Sequence, residues 1–302
     1  MSNGKKYQGV VVPMVTPFEE SGEIDEPAAE RIAEYLVEGG TAPFVLGTTG
    51  ELASIPSEQR EILVKNVARQ VNGRAKVYAG ISGCVLSESY EEAQKYYDFG
   101  ADVFVAHAPY YYPLTPDLIR KYFETLAENI PGPLVLYNIP ITTNISLPLD
   151  IIDALSQHPN IIGLKDSERN EDRLRKSVQL WANRQDFALF CGWGAQMSNA
   201  LAVGFDGIVP STANIVPTKY KSLYDAVMNK DMNTAVQLQK ETDTISKIYQ
   251  NNRILSQSLP ALKVIMNYLK LCKTEVLPPL QVIDDSEAQV IINDFSKQMK
   301  TG

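Results

Sequence analysis

The sequence predicts an α/β fold, a (β/α)8 TIM barrel followed by a C-terminal three-helix extension. Short runs rich in Val, Ile and Leu alternate with amphipathic stretches along most of the chain. Such runs are typical of strands that are buried on both faces of a parallel sheet. We find eight of them, which is the number that closes a barrel. The alternative, an open doubly wound sheet, would carry a Gly-x-Gly-x-x-Gly turn after an early strand, and the sequence contains none.

The predicted elements follow one another in strand–helix order. The strands are predicted at residues 9–15, 43–47, 75–80, 102–106, 133–138, 161–165, 188–192 and 207–210. The helices that follow them are predicted at residues 26–38, 57–71, 87–99, 116–129, 149–156, 170–181, 196–203 and 217–228. After residue 228 only helical patterns continue, at 232–250, 259–271 and 286–299. We therefore expect a catalytic barrel over residues 1–228 and a docked helical extension over residues 229–302.

Composition excludes several classes of protein. The chain has 302 residues, of which 44% are hydrophobic, so it can bury a large core. Its 28 Lys and Arg against 36 Asp and Glu give a net charge of −8 without basic runs, which argues against nucleic acid or an anionic membrane as a partner. No apolar stretch is long enough to span a bilayer, and the first residues are too polar for a signal peptide.

The cysteines and histidines indicate neither disulfides nor a metal site. The three cysteines, Cys84, Cys191 and Cys272, are widely spaced and include no Cys-x-x-Cys pair, which favours reduced thiols in the cytoplasm. The two histidines, His107 and His158, have no second ligand at a useful spacing, so we expect no metal. We expect His107 to pack beneath the helices rather than face a site, and His158 to lie on the surface.

The most informative residue is Lys165, which ends an apolar strand-like run. A lysine at the mouth of an apolar strand can lose charge through desolvation and become a nucleophilic amine that condenses with a ketone. Tyr137 ends the preceding run, and inward side chains at the ends of adjacent strands, about 4.8 Å apart, can meet. The pair predicts Schiff-base chemistry on 2-oxo acids. The alternatives are an exposed, inert lysine and a tyrosine that only packs.

Two further loops follow predicted strands. The glycines, hydroxyls and N–H groups of residues 47–51 (Gly-Thr-Thr-Gly-Glu) can form a nest for a carboxylate, or the segment is only a polar turn. Glu51 is expected to have a structural role. The run Tyr110, Tyr111 and Tyr112 predicts either a subunit interface or an active-site wall, the alternative being a loop folded over the core.

The assembled strand ends resemble the dihydrodipicolinate synthase/N-acetylneuraminate lyase superfamily of Schiff-base (class I) lyases and aldolases. The matching segments span the whole barrel, in order and at family-like spacing: residues 47–51, Pro109-Tyr110-Tyr111, Tyr137-Asn138-Ile139-Pro140 and Gly163-Leu164-Lys165-Asp166. Any one of them alone would be weak, but together they are specific.

The resemblance implies a role for each matching residue. Lys165 would form the imine with pyruvate or a pyruvate-derived 2-oxo acid, and Tyr137 would relay protons. Thr48 and Thr49, with Gly47, would hold the carboxylate, and Thr48 would link Tyr137 to Tyr111. In relatives Tyr111 often reaches across a dimer interface, so a homotetramer (a dimer of dimers) is expected. No cofactor is implied.

Departures from the family pattern bear on the substrate. Relatives that make dihydrodipicolinate carry an arginine where this chain has Thr142, and a hydroxyl cannot replace a bidentate fork. Sialic acid lyases carry an acidic pair after the glycine that corresponds to Gly192, whereas here Trp193-Gly194 follows. The remaining candidates for substrate contacts are these: Thr142, Thr143, Ser167, Gly192, Gln196, Ser211 and the carbonyl of Val209.

The sequence therefore predicts a lyase that reversibly splits a 2-oxo acid into pyruvate and an aldehyde, with a 2-keto-3-deoxy sugar acid as the expected substrate. Four alternatives stay open. They are 4-hydroxy-tetrahydrodipicolinate synthase, N-acetylneuraminate lyase, a related dehydratase, and a non-catalytic barrel that binds 2-oxo acids.

Overall fold

The computed structural model describes residues 5–301, with side chains for residues 5–300. Eight parallel strands form a closed barrel in which each strand pairs with its neighbours in sequence and the last returns to the first. The strands are β1 (Gly9–Pro13), β2 (Ala42–Val45), β3 (Tyr78–Gly80), β4 (Val103–His107), β5 (Leu134–Asn138), β6 (Ile161–Asp166), β7 (Ala188–Cys191) and β8 (Gly207–Ile208). The predicted fold class is confirmed.

Helices surround the barrel and continue beyond it. They are α1 (Glu26–Glu38), α2 (Ser57–Val71), α3 (Leu86–Phe99), α4 (Pro116–Asn129), α5 (Pro140–Thr143), α6 (Leu149–Leu155), α7 (Glu171–Trp181), α8 (Met197–Val203), α9 (Pro217–Met228), α10 (Met232–Gln250), α11 (Leu255–Tyr268) and α12 (Asp285–Thr301). None of these helices combines the length and apolar character needed to cross a membrane.

Local sequence explains where the longer helices begin and end. The Asp25 carboxylate accepts from the N–H of Ala28 and caps α1, and the Thr115 hydroxyl does the same for Leu118 in α4. The helix α3 ends at Gly100, whose φ of 105° suits glycine. The bounds predicted for α1, α2, α4, α9 and α10 agree with the structure.

The differences from the prediction are concentrated in short elements. The helix α5 follows strand β5. Three 3₁₀ turns follow other strands: Leu52–Ser54 after β2, Gly194–Gln196 after β7 and Ser211–Asn214 after β8. They are too short to produce a periodic apolar pattern, so the sequence did not predict them. The helix α11 begins four residues before its predicted start, with Pro260 inside it.

The core has two parts, one inside the barrel and one between strands and helices. The inner part is formed by these side chains: Tyr7, Val11, Phe44, Tyr78, Val103, Val105, Val135, Tyr137, Ile139, Ile162, Ala188, Phe190 and Val209. Strand crowding requires glycine at Gly80, where an added Cβ would lie 1.9 Å from the carbonyl oxygen of Leu46. Tyr137 and Val209 of this inner cluster lie at or just beyond the carboxyl ends of β5 and β8.

The extension of α10, α11 and α12 supports loops at the carboxyl end of the barrel. The Tyr249 hydroxyl lies 2.9 Å from Ser211 Oγ, on the turn after β8. Gln239 Nε2 donates to the Gly194 carbonyl at 3.0 Å, on the turn after β7. The C-terminal helices therefore fix the mouth of the barrel rather than lying apart from it.

Candidate active site

Four neighbouring strands place one layer of side chains at the carboxyl end of the barrel. In the strand register His107 pairs with Tyr137, Tyr137 pairs with Lys165, and Lys165 pairs with Phe190. His107 and Lys165 follow the inward alternation of their strands, in which Val105 and Gly163 are two residues earlier. Consecutive parallel strands thus bring imidazole, phenol, amine and phenyl groups into one row.

Lys165 is almost completely buried, with 5% of its surface exposed. Its Nζ lies 3.8 Å from the centroid of the Tyr137 ring and 4.9 Å from that of Phe44. Burial lowers the pKa of the Lys165 amine, and the nearby Tyr137 phenol opposes that shift in part. No carboxylate in the described residues forms an ion pair with this amine. A larger share of it is therefore neutral and nucleophilic than for an ordinary lysine.

Tyr137 lies beside Lys165 and is equally buried. Its hydroxyl is 3.4 Å from Thr48 Oγ1, so the loop after β2 reaches the phenol. The phenol can pass a proton between the amine side of the site and the Thr48 hydroxyl. The sequence prediction that these residues meet agrees with this geometry.

The loop of residues 47–51 is a tight turn with two free peptide N–H groups among the described residues. Leu46 and Glu51 have φ angles of 57° and 58°, which curve the backbone tightly. The Thr16 hydroxyl donates to the Gly50 carbonyl at 2.6 Å and anchors the turn. Among the described residues, the peptide N–H groups of Thr48 and Thr49 donate to no acceptor. Free N–H groups on a curved loop suit a carboxylate.

Thr142 and Thr143 lie in α5, directly after β5. Thr142 is exposed, and its hydroxyl donates to the Ile139 carbonyl at 3.3 Å. Thr143 is buried, and its hydroxyl donates to the same carbonyl at 3.0 Å. Asn144 then takes a φ of 56°, which asparagine tolerates. Thr142 is therefore the more accessible of the two predicted contacts.

The remaining predicted contacts come from β6, β7 and β8. Ser167 is half-buried against Gly192, where an added Cβ would lie 2.1 Å from Ser167 Oγ. Val209 is buried, and its N–H donates to the Cys191 carbonyl at 2.8 Å. Ser211 is half-buried, and its hydroxyl is engaged by Tyr249.

Two residues beyond β7 differ in what they contact. Trp193 is partly buried and packs against the outer core cluster, between strands and helices. Gln196 Oε1 accepts from Asn199 Nδ2 at 2.9 Å on the surface. Neither contact assigns a substrate role.

The three tyrosines after β4 point away from the core. Tyr110, Tyr111 and Tyr112 are 47%, 73% and 70% exposed, which excludes the interpretation of a loop folded over the barrel. The Tyr111 and Tyr112 rings meet edge to face with centroids 5.0 Å apart. Within the described chain the Tyr111 hydroxyl has no hydrogen-bond partner, so it does not reach Thr48 of its own chain.

The expectation that His107 packs beneath the helices is wrong. Its ring lies 6.3 Å from the Tyr137 ring and 6.1 Å from the Tyr110 ring, between centroids. Burial lowers the pKa of this imidazole, and the Lys165 charge lowers it further. The predicted strand stopped at residue 106, one position short. Had it been extended, strand alternation from Val105 would have placed His107 inside.

A buried polar network behind the site was also missed. Asp166 accepts from Arg173 Nε at 2.6 Å and from Asn138 Nδ2 at 3.0 Å. Asn138 and Asp166 directly follow Tyr137 and Lys165, and point to the opposite side of the strands. The network therefore locks the two strand ends that carry the amine and the phenol. The adjacency of Asn138 and Asp166 to those residues was the available signal.

Comparisons with known proteins agree with this geometry. The family model described as the dihydrodipicolinate synthetase family matches residues 6–298. A 4-hydroxy-tetrahydrodipicolinate synthase of Staphylococcus haemolyticus is 29% identical over 98% of both chains. A probable 2-dehydro-3-deoxy-D-pentonate aldolase of Escherichia coli K12 is 31% identical over 81% of this chain and 82% of the relative.

Solved structures give the same result. A dihydrodipicolinate synthase from Bacteroides thetaiotaomicron has a TM-score of 0.92 and 31% identity, covering 97% of this chain and 99% of its own. A prophage protein of the dihydrodipicolinic acid synthase family from E. coli K12, in complex with pyruvate, has a TM-score of 0.91 and 25% identity over the same shares. The chain therefore belongs to the dihydrodipicolinate synthetase family, and it is a lyase of the kind that works through an imine between a lysine and pyruvate.

Proposed function

We propose that the protein reversibly cleaves a 2-keto-3-deoxy sugar acid into pyruvate and an aldehyde, with Lys165 as the imine-forming residue. The observation that carries this proposal is the placement of Lys165 Nζ, buried without a carboxylate and 3.8 Å from the Tyr137 ring centroid. A desolvated amine beside a phenol supplies both the nucleophile and the proton carrier that the reaction needs.

The reaction uses the residues of the layer and of the loop after β2. The neutral amine of Lys165 attacks C2 of the 2-oxo acid, and water leaves to give an iminium ion. Tyr137 gives its proton to the departing hydroxyl as that water leaves and, now a phenolate, takes the proton of the C4 hydroxyl. The C3–C4 bond then breaks, and its electron pair enters the iminium to form an enamine. An aldehyde departs. Protonation of the enamine at C3 and hydrolysis of the imine then release pyruvate and the free amine.

Apart from the proton link through Thr48 and Tyr111, the other residues bind rather than react. The free N–H groups and hydroxyls of Thr48 and Thr49, beside Gly47, hold the carboxylate. The Val209 carbonyl lies at the same end of the barrel and would orient the reacting centre. The aldehyde half is assigned to five residues that follow strands β5 to β8 at the same end of the barrel: Thr142, Thr143, Ser167, Gly192 and Ser211.

The chemistry of α5 supports a hydroxylated substrate. Thr142 is exposed where a fork for a second carboxylate would be needed, and its hydroxyl can bond to another hydroxyl but cannot grip a carboxylate bidentately. The aldolase relative from E. coli, named for a deoxy pentonate, agrees with this choice. The acidic pair that would bind a long sialic acid tail is absent after Gly192.

A test of the imine traps it chemically. Pyruvate and borohydride should add one reduced pyruvate to the intact protein, detected by mass spectrometry. Lys165→Ala should abolish the adduct, whereas the exposed lysine control Lys65→Ala should keep it. Absence of an adduct in the native protein would contradict the proposal and favour a non-catalytic barrel that binds 2-oxo acids.

The second candidate function is 4-hydroxy-tetrahydrodipicolinate synthase, favoured by the relative that matches 98% of the chain. It condenses pyruvate with aspartate semialdehyde, whose carboxylate needs a cation. Thr142→Arg should therefore raise kcat/KM for aspartate semialdehyde, by about tenfold or more for one charge-assisted contact. Equal activity of the two forms, or strong activity of the native protein, would contradict the substrate proposal.

A further inference from the structure

His107 has a fixed tautomer. Its Nδ1 lies 2.8 Å from the Ala108 carbonyl oxygen, which can only accept a hydrogen bond. Nδ1 therefore carries the hydrogen, and in the neutral ring Nε2 presents a lone pair. The strand end is fixed as well, because the His107 N–H donates to Ser82 Oγ at 3.0 Å.

The lone pair at Nε2 is unused. Among the described residues no donor bonds to Nε2, and the atom is not one of the buried polar atoms without a partner. It is thus accessible at the mouth of the barrel. On the other side of Lys165, strand β7 contributes Phe190 to the same layer, and its phenyl ring has no atom that accepts a hydrogen bond. His107 is the member of this layer, beside Tyr137, that can accept a hydrogen bond.

The position of His107 determines which part of a substrate it can meet. In strand order Tyr137 separates His107 from Lys165, and adjacent strands are about 4.8 Å apart. The imine fixes C2 at Lys165, and the C4 hydroxyl lies at Tyr137. An extended chain advances about 1.2 Å per bond, so hydroxyls beyond C4 can extend past the phenol towards the imidazole.

We propose that His107 is a specificity-determining residue whose Nε2 accepts a hydrogen bond from a hydroxyl on the aldehyde half of the substrate, beyond the bond that breaks. This inference rests on the proposed aldolase function and names the group that recognises the hydroxylated tail. A tail without hydroxyls makes no bond to Nε2, which then stays hydrated, so such a tail gains no affinity from the imidazole.

The test compares two aldehydes of equal carbon number in condensation with pyruvate. His107→Phe keeps a ring against Tyr137 and removes the acceptor. We expect kcat/KM for glyceraldehyde to fall roughly tenfold, as for one lost hydrogen bond in a polar site. For propanal, which has no hydroxyl, it should change by less than about twofold. His107→Gln keeps an acceptor and should recover part of the glyceraldehyde activity, and it serves if the phenylalanine variant does not fold.

Two further measurements, added to the comparison of aldehydes, separate this inference from the proposed function. The pyruvate adduct trapped by borohydride should form equally in the native protein and in His107→Phe. His158→Gln removes the other histidine, which lies on the turn before β6. This control should leave kcat/KM unchanged for both aldehydes. If kcat/KM of His107→Phe falls equally for both aldehydes, or for neither, the role of His107 is overturned. The aldolase proposal still stands in that case as long as the adduct forms. A native protein without an adduct would overturn both.

Discussion

The amine of Lys165 destabilises the fold in which it reacts. Its pKa in the folded protein is lowered by burial, whereas in the unfolded chain it is near 10.4. Below the folded pKa the amine is protonated in both states, and the folded state alone bears the cost of burying the charge. Above about pH 10.4 the amine is neutral in both states and this cost disappears. Burial of Lys165 therefore favours activity at neutral pH, because it supplies a neutral amine, and lowers the stability of the folded protein at the same pH.

Lys165→Met should make the protein more stable at pH 7 and abolish the pyruvate adduct. The gain follows because the methionine side chain fills much of the same apolar space without a charge. It should shrink as the pH approaches 10.4, the ordinary value for lysine. Thermal melting at pH 7 and at pH 10 measures the stability gain and its decrease with pH, and mass spectrometry after borohydride treatment measures the adduct. A variant that is less stable than the native protein at pH 7 would show that the amine contributes net attraction, through the rings of Tyr137 and Phe44.

Tyr137→Phe should slow turnover about 10²–10⁴-fold, the usual range for loss of a general acid–base group. The phenyl ring would still lie against Lys165 Nζ, so binding of the amine to the ring face persists. The melting temperature should change little, since the hydroxyl's contact with Thr48 is long, at 3.4 Å, and its other partner is the Lys165 amine. Steady-state kinetics with a 2-oxo acid measures the effect. A loss below tenfold would assign the proton transfer to another group.

At the scale of elements, one buried ion pair joins the C-terminal extension to the loop that holds the carboxylate. Lys263 Nζ of α11 lies 2.5 Å from Glu51 Oε1, and both side chains are 1% exposed. The second Glu51 oxygen accepts from the Leu277 N–H at 3.0 Å, and Lys263 also donates to the Glu275 carbonyl at 2.7 Å. The expectation of a structural role for Glu51 agrees with these contacts.

Breaking this pair from one side should be costly. Lys263→Met leaves the Glu51 carboxylate buried without its partner, which typically costs about 3–5 kcal/mol. Combining it with Glu51→Gln should cost less than the two single changes added together. The pyruvate KM should rise in the single variants, because Thr48 and Thr49 adjoin Glu51. Urea unfolding gives the energies, and an additive double variant would argue against a coupled pair.

What the sequence could predict at this scale depended on pattern length. Five helices, among them α10 over nineteen residues, agree with their predicted bounds because each repeats its apolar face several times. The helix α5 has four residues and gives no such pattern. Lys165 and Tyr137 were found because each ends an apolar run, and the register then brings them together. The inward position of His107 was missed because the predicted strand ended one residue too early. The pairing of Lys263 with Glu51 was missed because the two residues are far apart in sequence and no local pattern connects them.

At the scale of the whole molecule, the exposed tyrosines after β4 are candidates for a contact between copies of the chain. Tyr111 and Tyr112 are 73% and 70% exposed beside the site mouth, and no contact within the described chain uses the Tyr111 hydroxyl. Aromatic residues of this exposure are typical of subunit interfaces. The family resemblance implies a homotetramer, a dimer of dimers, and we propose that Tyr111 of a second copy approaches Thr48 there and completes the proton path from Tyr137.

Replacing Tyr111 and Tyr112 should dissociate the oligomer and lower its activity. Tyr111→Ser with Tyr112→Ser removes two rings that are expected to be buried between copies, so sedimentation velocity should show a shift from four copies to smaller species. Turnover should fall at protein concentrations where the species dissociate. Met228→Ser is the matched control, since it removes an exposed apolar side chain at the end of α9, at the opposite end of the barrel, and should change neither quantity. A native protein that sediments as one copy at micromolar concentration, with full activity, would contradict the expectation and leave Tyr111 without a catalytic role.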